Sequence, residues 1–318
     1  MSPAPLIIRA DASPQIGTGH IMRCIALAQA WQDCSGKVTF LSHCENDKIK
    51  QRILNEGFEF LPIEKPHPDP SDLKQILTTL KQLGTRNSEL ETWLALDGYH
   101  FTPDYQKAVR DSGYRLLVID DMAHLDHYCA DILLNQNIYA PDLNYSCDKD
   151  TVKLLGCEYV LLRREFLKYK DWKREIPEKA RKILVTLGGA DPDNVTLRVI
   201  KALKLFNDPD LEVKVIVGPS NPHLKKLQSA IRNPQSAIHI LQNVTDMPSL
   251  MAWADVAVSA AGSTCWELAF MGAPSITVVT FSNQQDVAKG LERAKIFKTV
   301  GWYKAMNNDI LVAELSIL

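Results

Sequence analysis

The sequence predicts an α/β protein made of two doubly wound domains, each a parallel sheet with helices on both faces. Three observations predict this fold class. Short apolar runs of β-forming residues recur, helix-length segments or turns separate most of them, and the pattern restarts after Arg181. Such alternation is typical of parallel sheets. The predicted strands are, in order, Leu6–Ala10, Val38–Leu41, Phe58–Ile63, Trp93–Asp97, Leu116–Asp120, Ile132–Leu134, Ile183–Leu187, Val213–Val217, Ile238–Leu241, Val256–Ser259 and Ile276–Val279.

The chain of 318 residues is longer than one ordinary domain, and 46% apolar residues are enough for two hydrophobic cores. We therefore expect a boundary near residue 166, with one domain over residues 1–165 and the other over 166–318. The joining stretch Lys168–Arg181 is dense in lysine and arginine. It could be an anion site, but a solvated linker or helix face is the favoured interpretation of such a charge run.

Composition points to a small-molecule partner. The 36 basic and 38 acidic residues give a net charge of −2, without the basic surplus typical of nucleic-acid binding. No apolar run is long enough to span a bilayer, and Met1–Leu6 is too short and uncharged for a secretory signal, so we expect a cytoplasmic protein without stable membrane association. The seven cysteines form no C-x-x-C pair, which favours reduced, mostly buried thiols over structural zinc.

The first candidate site is the loop Gly17-Thr18-Gly19-His20, which joins the first strand to an amphipathic helix. Glycines let the backbone approach an anionic ligand at a helix start, and Gly17 and Gly19 are therefore candidate substrate contacts. His20 adds an imidazole that can accept or donate a proton near neutral pH. A capping or packing role for this histidine is the alternative, because glycine-rich turns are common in α/β proteins.

Two loops of the second half are candidates for a diphosphate. Gly188 and Gly189 follow one strand, while Gly262, Ser263 and Thr264 follow another, and both loops can offer backbone donors or hydroxyls. Glu267, one turn into the next helix, can accept both hydroxyls of a ribose or can merely complement the helix dipole. Neither loop has the spacing of a dinucleotide fingerprint or of a phosphate-binding P-loop, which lowers support for NAD binding and nucleotide hydrolysis.

Metal binding is the weaker interpretation elsewhere. Asp120 and Asp121 could hold magnesium, but adjacent strand residues point to opposite faces. His124 and His127 are spaced like a metal pair, yet no further ligands are evident, so surface positions are favoured.

Several motifs together resemble the UDP-sugar hydrolases of the pseudaminic acid pathway, over nearly the whole chain. The motifs are Ile8-Arg9-Ala10-Asp11, Gln15 to Arg23, Leu96-Asp97-Gly98-Tyr99, Ile119-Asp120-Asp121, Cys129 to Asn137, Leu162 to Phe166, and Leu187 to Asp191. The resemblance implies a GT-B-like fold of two Rossmann-like domains facing across a cleft, related to the lipid-II-forming N-acetylglucosaminyltransferase. It implies UDP-2,4-diacetamido-2,4,6-trideoxy-β-L-altropyranose as substrate, and water as the acceptor of the sugar.

In this interpretation His20 assists the attacking water, and the C-terminal half holds UDP. A general base is the expected role, since UDP leaves without needing a proton, and neither a metal nor another cofactor is expected. Asp11 could orient His20 or cap the turn. Arg23 could face a phosphate or sugar substituent, or form a surface salt bridge. Asn283 and Gln284, at the start of a helix, could contact the sugar or diphosphate.

Two other function classes stay open. A glycosyltransferase would use the same cleft but pass the sugar to an acceptor, although no apolar, basic surface for docking at a membrane is visible in the N-terminal half. A non-catalytic module would bind the nucleotide sugar and leave it intact.

Overall fold

The computed structural model describes residues 4–13, 16–84, 92–206, 208–232, 237–306 and 308–317. Gln15, quoted above within a motif, lies outside them. The chain divides into two compact units, Met1–Arg164 and Glu165–Leu318. Across the described ranges, no helix combines the length and apolar composition needed to cross a membrane.

The N-terminal unit is a parallel sheet with helical crossovers. Its described strands lie in the order β3-β2-β1-β4-β5-β6-β7. The strands are β1 (Leu6–Ala10), β2 (Val38–Ser42), β3 (Glu59–Pro62), β4 (Trp93–Asp97), β5 (Arg115–Ile119), β6 (Ile132–Asn135) and β7 (Val152–Leu155); the helices are α1 (Gly19–Asp33), α2 (Asp47–Asn55), α3 (Pro70–Gly84) and α4 (Pro103–Asp111).

Strand alternation divides the core of this unit into two layers. Ile8 of β1 and Ala95 of β4 face the layer that contains Ile21 and Ile25 of α1. Ile7, one position along β1, faces the opposite layer, built largely from α3 and α4. Because successive residues of a strand point to opposite faces, each polar residue at a strand end is assigned to one layer by its parity.

The C-terminal unit repeats the same plan. Its described strands lie in the order β10-β9-β8-β11-β12-β13 and pair in parallel. The strands are β8 (Lys182–Thr186), β9 (Glu212–Val217), β10 (Ile238–Gln242), β11 (Val256–Ala260), β12 (Ser275–Val279) and β13 (Lys298–Trp302); the helices are α5 (Val195–Leu203), α6 (Leu224–Ala230), α7 (Met247–Trp253), α8 (Thr264–Phe270), α9 (Gln285–Arg293) and α10 (Asn308–Ile317).

Both units have the strand order of a Rossmann fold, in which the chain direction across the sheet reverses at the first strand. The reversal lies between β1 and β4 in the first unit and between β8 and β11 in the second. Ligands of open α/β sheets bind beyond the carboxyl ends of the strands at this point. The loops after these four strands are therefore where a site is expected.

The basic stretch between the sheets is structural. The Arg174 guanidinium donates to the backbone carbonyls of Met251, Ala254 and Met271, and Lys168 pairs with Asp246 at 3.3 Å. Burial, as the largest influence, lowers the pKa of Arg174. These contacts support the linker interpretation of this stretch over an anion site.

Candidate active site

His20 lies in the first turn of α1, immediately beyond the glycine loop. The Gly17 amide donates to the Ser13 carbonyl at 2.8 Å, which closes the turn, and α1 begins at Gly19. Among the described residues, nothing lies within 4 Å of where a Cβ would stand at either glycine, so the described part of the loop is open on that side. His20 itself is 8% exposed, and its ring packs edge-on against Tyr99 with centroids 5.1 Å apart. The loop is thus open beside a largely buried imidazole.

The partner of His20 is Asp97, the last residue of β4. His20 Nδ1 lies 2.6 Å from Asp97 Oδ1, and Arg23 donates from Nε to Asp97 Oδ2 at 2.6 Å and from Nη2 to Oδ1 at 2.5 Å. The thiol of Cys24 donates to the same carboxylate at 3.4 Å. Positions 20, 23 and 24 share one face of a helix, and the parity of β4 turns Asp97 toward that face. Local periodicity therefore builds the cluster.

Electrostatics keep Asp97 ionised and Arg23 charged. Burial acts to raise the pKa of Asp97, but the charge of Arg23 and the contact with His20 hold that pKa well below its usual range. The same carboxylate raises the pKa of Arg23 above its usual value against the opposing effect of burial. An ionised Asp97 is only an acceptor, so its 2.6 Å contact favours a proton on His20 Nδ1 over acceptance from Arg23 Nη2, which lies 3.2 Å from the same nitrogen. In neutral His20, Nε2 is then the basic nitrogen.

Asp121 extends the cluster, whereas Asp120 faces away from it. Arg23 Nη1 donates to Asp121 Oδ2 at 3.0 Å, and Asp121 Oδ1 is a buried oxygen without a hydrogen-bond partner among the described residues. Asp120 instead accepts from the Tyr145 hydroxyl at 2.8 Å and from the amides of Met122 and Ala123 at 2.9 and 2.7 Å. The two carboxylates diverge as strand alternation predicts, so they do not form a magnesium pair.

Of the two roles left open for Asp11, orienting His20 is wrong, whereas capping of the turn stays a prediction. Asp11 pairs with Arg9, accepts from the His43 amide at 2.7 Å and lies 3.2 Å from His100 Nε2. Asp11 has the parity of Arg9 on β1, so it faces the opposite side of the sheet from α1. Burial opposes ionisation, but His100 and Arg9 lower the pKa of Asp11 to about 2. Its contacts tie the ends of β1 and β2 together.

Arg9 is the charged partner of Asp11 at the end of β1, and it also pairs with Asp72. The side chain is fully buried and donates to Asp72 at 2.6 Å from Nη2, while the Tyr105 hydroxyl donates to the same carboxylate at 2.7 Å. Burial alone would lower the pKa of Arg9, but the two carboxylates Asp72 and Asp11 raise it. A charge buried this completely is tolerated because it is paired and hydrogen-bonded.

Arg23 was predicted to face a substrate group or to form a surface salt bridge. Its salt bridges are buried, not on the surface: the side chain is 7% exposed and lies between Asp97 and Asp121. Contact with the substrate stays a prediction. Asp97 and Tyr99 belong to motifs given above but had no predicted role, and Asp121 had only a possible role as a magnesium ligand. The parity of the strands that precede them was the available signal.

In the C-terminal unit, the loop after β8 packs closely against the loop after β9. A Cβ at Gly218 would lie 2.4 Å from the Gly189 carbonyl oxygen, so only glycine fits there. Gly188 has a φ of +89°. The amides of Val195 and Thr196 at the start of α5 donate to the Asp191 carboxylate at 2.7 and 3.0 Å. Those two helix donors are already used, so any anion here depends on the loop rather than on that helix end.

The loop after β11 brings the remaining predicted residues together. Ser263 precedes α8 and makes no side-chain capping bond, and Gly262, Ser263 and Thr264 are half-buried. Glu267, in the first turn of α8, is 9% exposed. Gln284 Nε2 lies 3.9 Å from a Cβ position on Gly262, and Gln284 Oε1 accepts from the Thr280 amide at 2.9 Å. The Gly262 and Gln284 loops are therefore neighbours at one end of the sheet.

Asn283 lies beside Gln284 in a short 3-10 helix over Ser282–Gln284, directly before α9. Its contact with a sugar or diphosphate stays a prediction, as do the ligand contacts of Gly17, Gly19, Gly188, Gly189, Gly262, Ser263, Thr264, Glu267 and Gln284.

His124 and His127, which are spaced like a metal pair, have different partners in the structure. His124 lies 3.2 Å from Asp120 Oδ2 and 3.0 Å from the Tyr99 carbonyl oxygen. His127 instead contacts Asp148 Oδ1 at 2.9 Å. The two imidazoles belong to different clusters.

Comparisons with known proteins identify sequence relatives of this chain and solved structures with a similar fold. Residues 182–315 match the model of the glycosyltransferase family 28 C-terminal domain. An uncharacterised protein of Methanocaldococcus jannaschii is 26% identical over 88% of this chain, which spans only 56% of that protein. The UDP-2,4-diacetamido-2,4,6-trideoxy-β-L-altropyranose hydrolase of Campylobacter jejuni is 27% identical over 91% of this chain and 96% of its own length.

The crystal structure of Acinetobacter baumannii MurG superposes with a TM-score of 0.61 at 15% identity, covering 99% of this chain and 90% of that one. Together with the two Rossmann-ordered parallel sheets, this likeness confirms the predicted fold class: the chain has a GT-B-like fold with two Rossmann-like domains.

Proposed function

We propose that this chain is a UDP-sugar hydrolase that cleaves the glycosyl C–O bond of UDP-2,4-diacetamido-2,4,6-trideoxy-β-L-altropyranose in pseudaminic acid biosynthesis, giving UDP and the free sugar. The observation that carries the proposal is the 2.6 Å contact between His20 Nδ1 and the ionised Asp97, at the carboxyl ends of β1 and β4. The name of the Campylobacter jejuni relative supports this choice of substrate. The proposal places catalysis in residues 1–165 and UDP binding in residues 166–318.

His20 is the general base in this mechanism. With its proton on Nδ1, the imidazole uses Nε2 to remove a proton from water as the oxygen attacks the anomeric carbon. The bond from the anomeric carbon to the UDP oxygen breaks through an oxocarbenium-like state, and the electron pair leaves on the diphosphate. Arg23 holds Asp97 ionised and in place, so the base stays in one tautomer.

UDP occupies the C-terminal unit in this proposal. Gly188, Gly189 and Gly262 leave backbone close to the diphosphate, Ser263 and Thr264 offer hydroxyls, and Glu267 accepts from the ribose. Charge that develops on the leaving diphosphate is stabilised by these donors.

The experiment is turnover of this nucleotide sugar in ¹⁸O-labelled water, followed by NMR and mass spectrometry. Label on the anomeric carbon of the sugar is expected in the wild type, and His20→Ala is expected to lower kcat by about 10²–10⁴-fold, the usual contribution of a general base. UDP affinity by calorimetry should stay within threefold. His239→Ala, an exposed histidine on β10, is the matched control and should keep full activity.

Label on UDP or UMP would contradict the proposal, since it means attack at phosphorus. Equal activity of the His20→Ala and His239→Ala variants would contradict the role of His20 as the general base.

A glycosyltransferase is the second candidate, favoured by the family 28 match over residues 182–315. It predicts that the sugar stays bound to UDP in water and moves only when an acceptor alcohol is added. Tight binding of the nucleotide sugar without turnover under either condition would instead indicate a binding module.

A further inference from the structure

A second cluster of chemically active side chains lies in the N-terminal unit, on the segments that precede β6 and β7. The imidazole of His127, the thiol of Cys129 and the carboxylate of Asp148 each offer one ligand atom, and all three atoms lie within 4.8 Å of one another. His127 Nε2 and Asp148 Oδ1 are 2.9 Å apart. The mechanism proposed above uses none of them.

Strand pairing creates this cluster from two distant segments. Tyr128 pairs in parallel with Cys147, with the Tyr128 amide donating to the Ser146 carbonyl at 2.9 Å. Positions two apart on paired extended segments point to the same side. His127 and Cys129 on one segment therefore share a side with Asp148 on the other, although His127 and Asp148 are 21 residues apart in the chain. Sequence spacing alone could not reveal such a set.

We propose that His127, Cys129 and Asp148 form a binding site for one divalent transition-metal ion of the zinc type. Imidazole nitrogen with thiolate sulfur is a ligand set that favours zinc over magnesium or calcium. Ligands at zinc bond lengths of about 2.0–2.3 Å stand about 3.3–3.8 Å apart in a tetrahedron, so sub-ångström to ångström shifts complete the site. Water takes the fourth position.

Neighbouring groups orient the ligands. Ser146 Oγ lies 2.9 Å from His127 Nδ1, so the ring can hold its proton there and present Nε2 to the ion. Arg110 Nη1 donates to Asp148 Oδ2 at 2.6 Å, which leaves Oδ1 for the ion. The charge of Arg110 is matched in turn by Asp131 and Asp150, at 3.6 and 3.2 Å. Thiolate and carboxylate together neutralise a divalent cation.

The test is a titration of the full, chelator-treated chain with cobalt(II) chloride, followed in the near-ultraviolet and visible, with zinc chloride as competitor. The expected result is a sulfur-to-cobalt charge-transfer band that saturates at one equivalent and disappears when zinc is added. Cys129→Ser should abolish the band and His127→Gln should weaken binding at least tenfold. Ser146→Ala should weaken it by about tenfold or more, as loss of an orienting partner usually does.

Cys147→Ser is the matched control, since Cys147 directly precedes Asp148 in the chain but is half-buried against the sheet core. It should keep the band. The proposal is overturned if the wild type shows no band that saturates at one equivalent, or if Cys129→Ser and Cys147→Ser bind cobalt alike. Circular dichroism of each metal-free variant checks the fold, and His127→Gln serves if Cys129→Ser does not fold. None of these outcomes depends on turnover of a nucleotide sugar.

Discussion

Asp97→Asn is the sharpest perturbation of the proposed mechanism. Asp97 accepts from His20 Nδ1 and from two nitrogens of Arg23 at distances of 2.5–2.6 Å. An asparagine has the same shape but offers one oxygen and one amide donor. The donor must face either the Nδ1 proton of His20 or the guanidinium of Arg23, and both are donors themselves.

Either arrangement is costly. If the amide faces His20, the imidazole shifts its proton to Nε2 and loses its basic nitrogen toward substrate. If the amide faces Arg23, a charge-assisted bond worth about 1.5–3 kcal/mol is lost. Together with the weaker hold on the ring, we expect a rise of about 3–4 kcal/mol in the activation free energy, or about 10²–10³-fold in kcat at 1.36 kcal/mol per factor of ten. KM should change less than threefold, because the imidazole acts on water.

The assay is continuous UDP release from the nucleotide sugar, with kcat and KM measured separately. Asp11→Asn is the matched control: it removes a buried carboxylate from the adjacent strand end, but one that contacts Arg9 and not His20. In the Asp97→Asn variant, Asp121 is the one remaining carboxylate of the two that pair with the buried charge of Arg23, which lowers the stability of the fold. The Tm of the variant must therefore be measured, and the assay must be run well below that temperature. A kcat within threefold of the wild type, with the variant folded, would refute the positioning role of Asp97.

Three further changes test other parts of the structure. Glu267→Ala should raise the Kd for UDP by about 100-fold or more, since two hydroxyl bonds to a carboxylate of about 1.5–3 kcal/mol each are lost, and an unchanged Kd by calorimetry would contradict the ribose role. Asp11, whose folded pKa is lowered from 3.8 to about 2, gives stability that is present above pH 3.8 and is lost as the pH falls toward 2. This is worth about 2 kcal/mol, so urea unfolding of wild type and Asp11→Asn should converge at acid pH, and a constant difference would contradict it. Gly218→Ala should destabilise the protein by about 1–3 kcal/mol through the clash with Gly189, whereas Gly19→Ala, where no described residue lies within 4 Å of a Cβ, should not lower Tm.

Strand prediction succeeded where both faces of a strand are buried. β1, β2, β11 and β12 are buried along their whole length, and their apolar runs were found to within one or two residues. β7 and β13 were not predicted, and both are outer strands. β7 is half exposed, and β13 has a positive φ at Gly301 and a register shift against β12. The outer strands β3 and β10 were predicted, so an edge position alone does not hide a strand. The apolar run is interrupted by Lys153 in β7 and by Gly301 in β13, and this interruption hid the two strands.

Within the site, local residues were predictable and their partners were not. His20 and its glycine loop were identified because they are contiguous in the chain. Asp97 lies 77 residues from His20, and the two meet only because β4 is the neighbour of β1 in the sheet. Parity along β1 already separates Asp11 from α1, so alternation argues against that residue even before the structure. Strand order, which no local pattern encodes, was needed to name its replacement.

The hydrogen bonds from Arg174 to three backbone carbonyls affect where the chain can be cut to isolate the second unit. The matched family segment begins at residue 182, but the compact unit begins at Glu165. A fragment cut at residue 182 would lose the guanidinium and strand the carbonyl oxygens of Met251, Ala254 and Met271 at the ends of α7 and α8. Proteolysis between residues 164 and 165, by contrast, would release a fragment that keeps the three hydrogen bonds of Arg174. Expression of the second unit alone should therefore start at the earlier position.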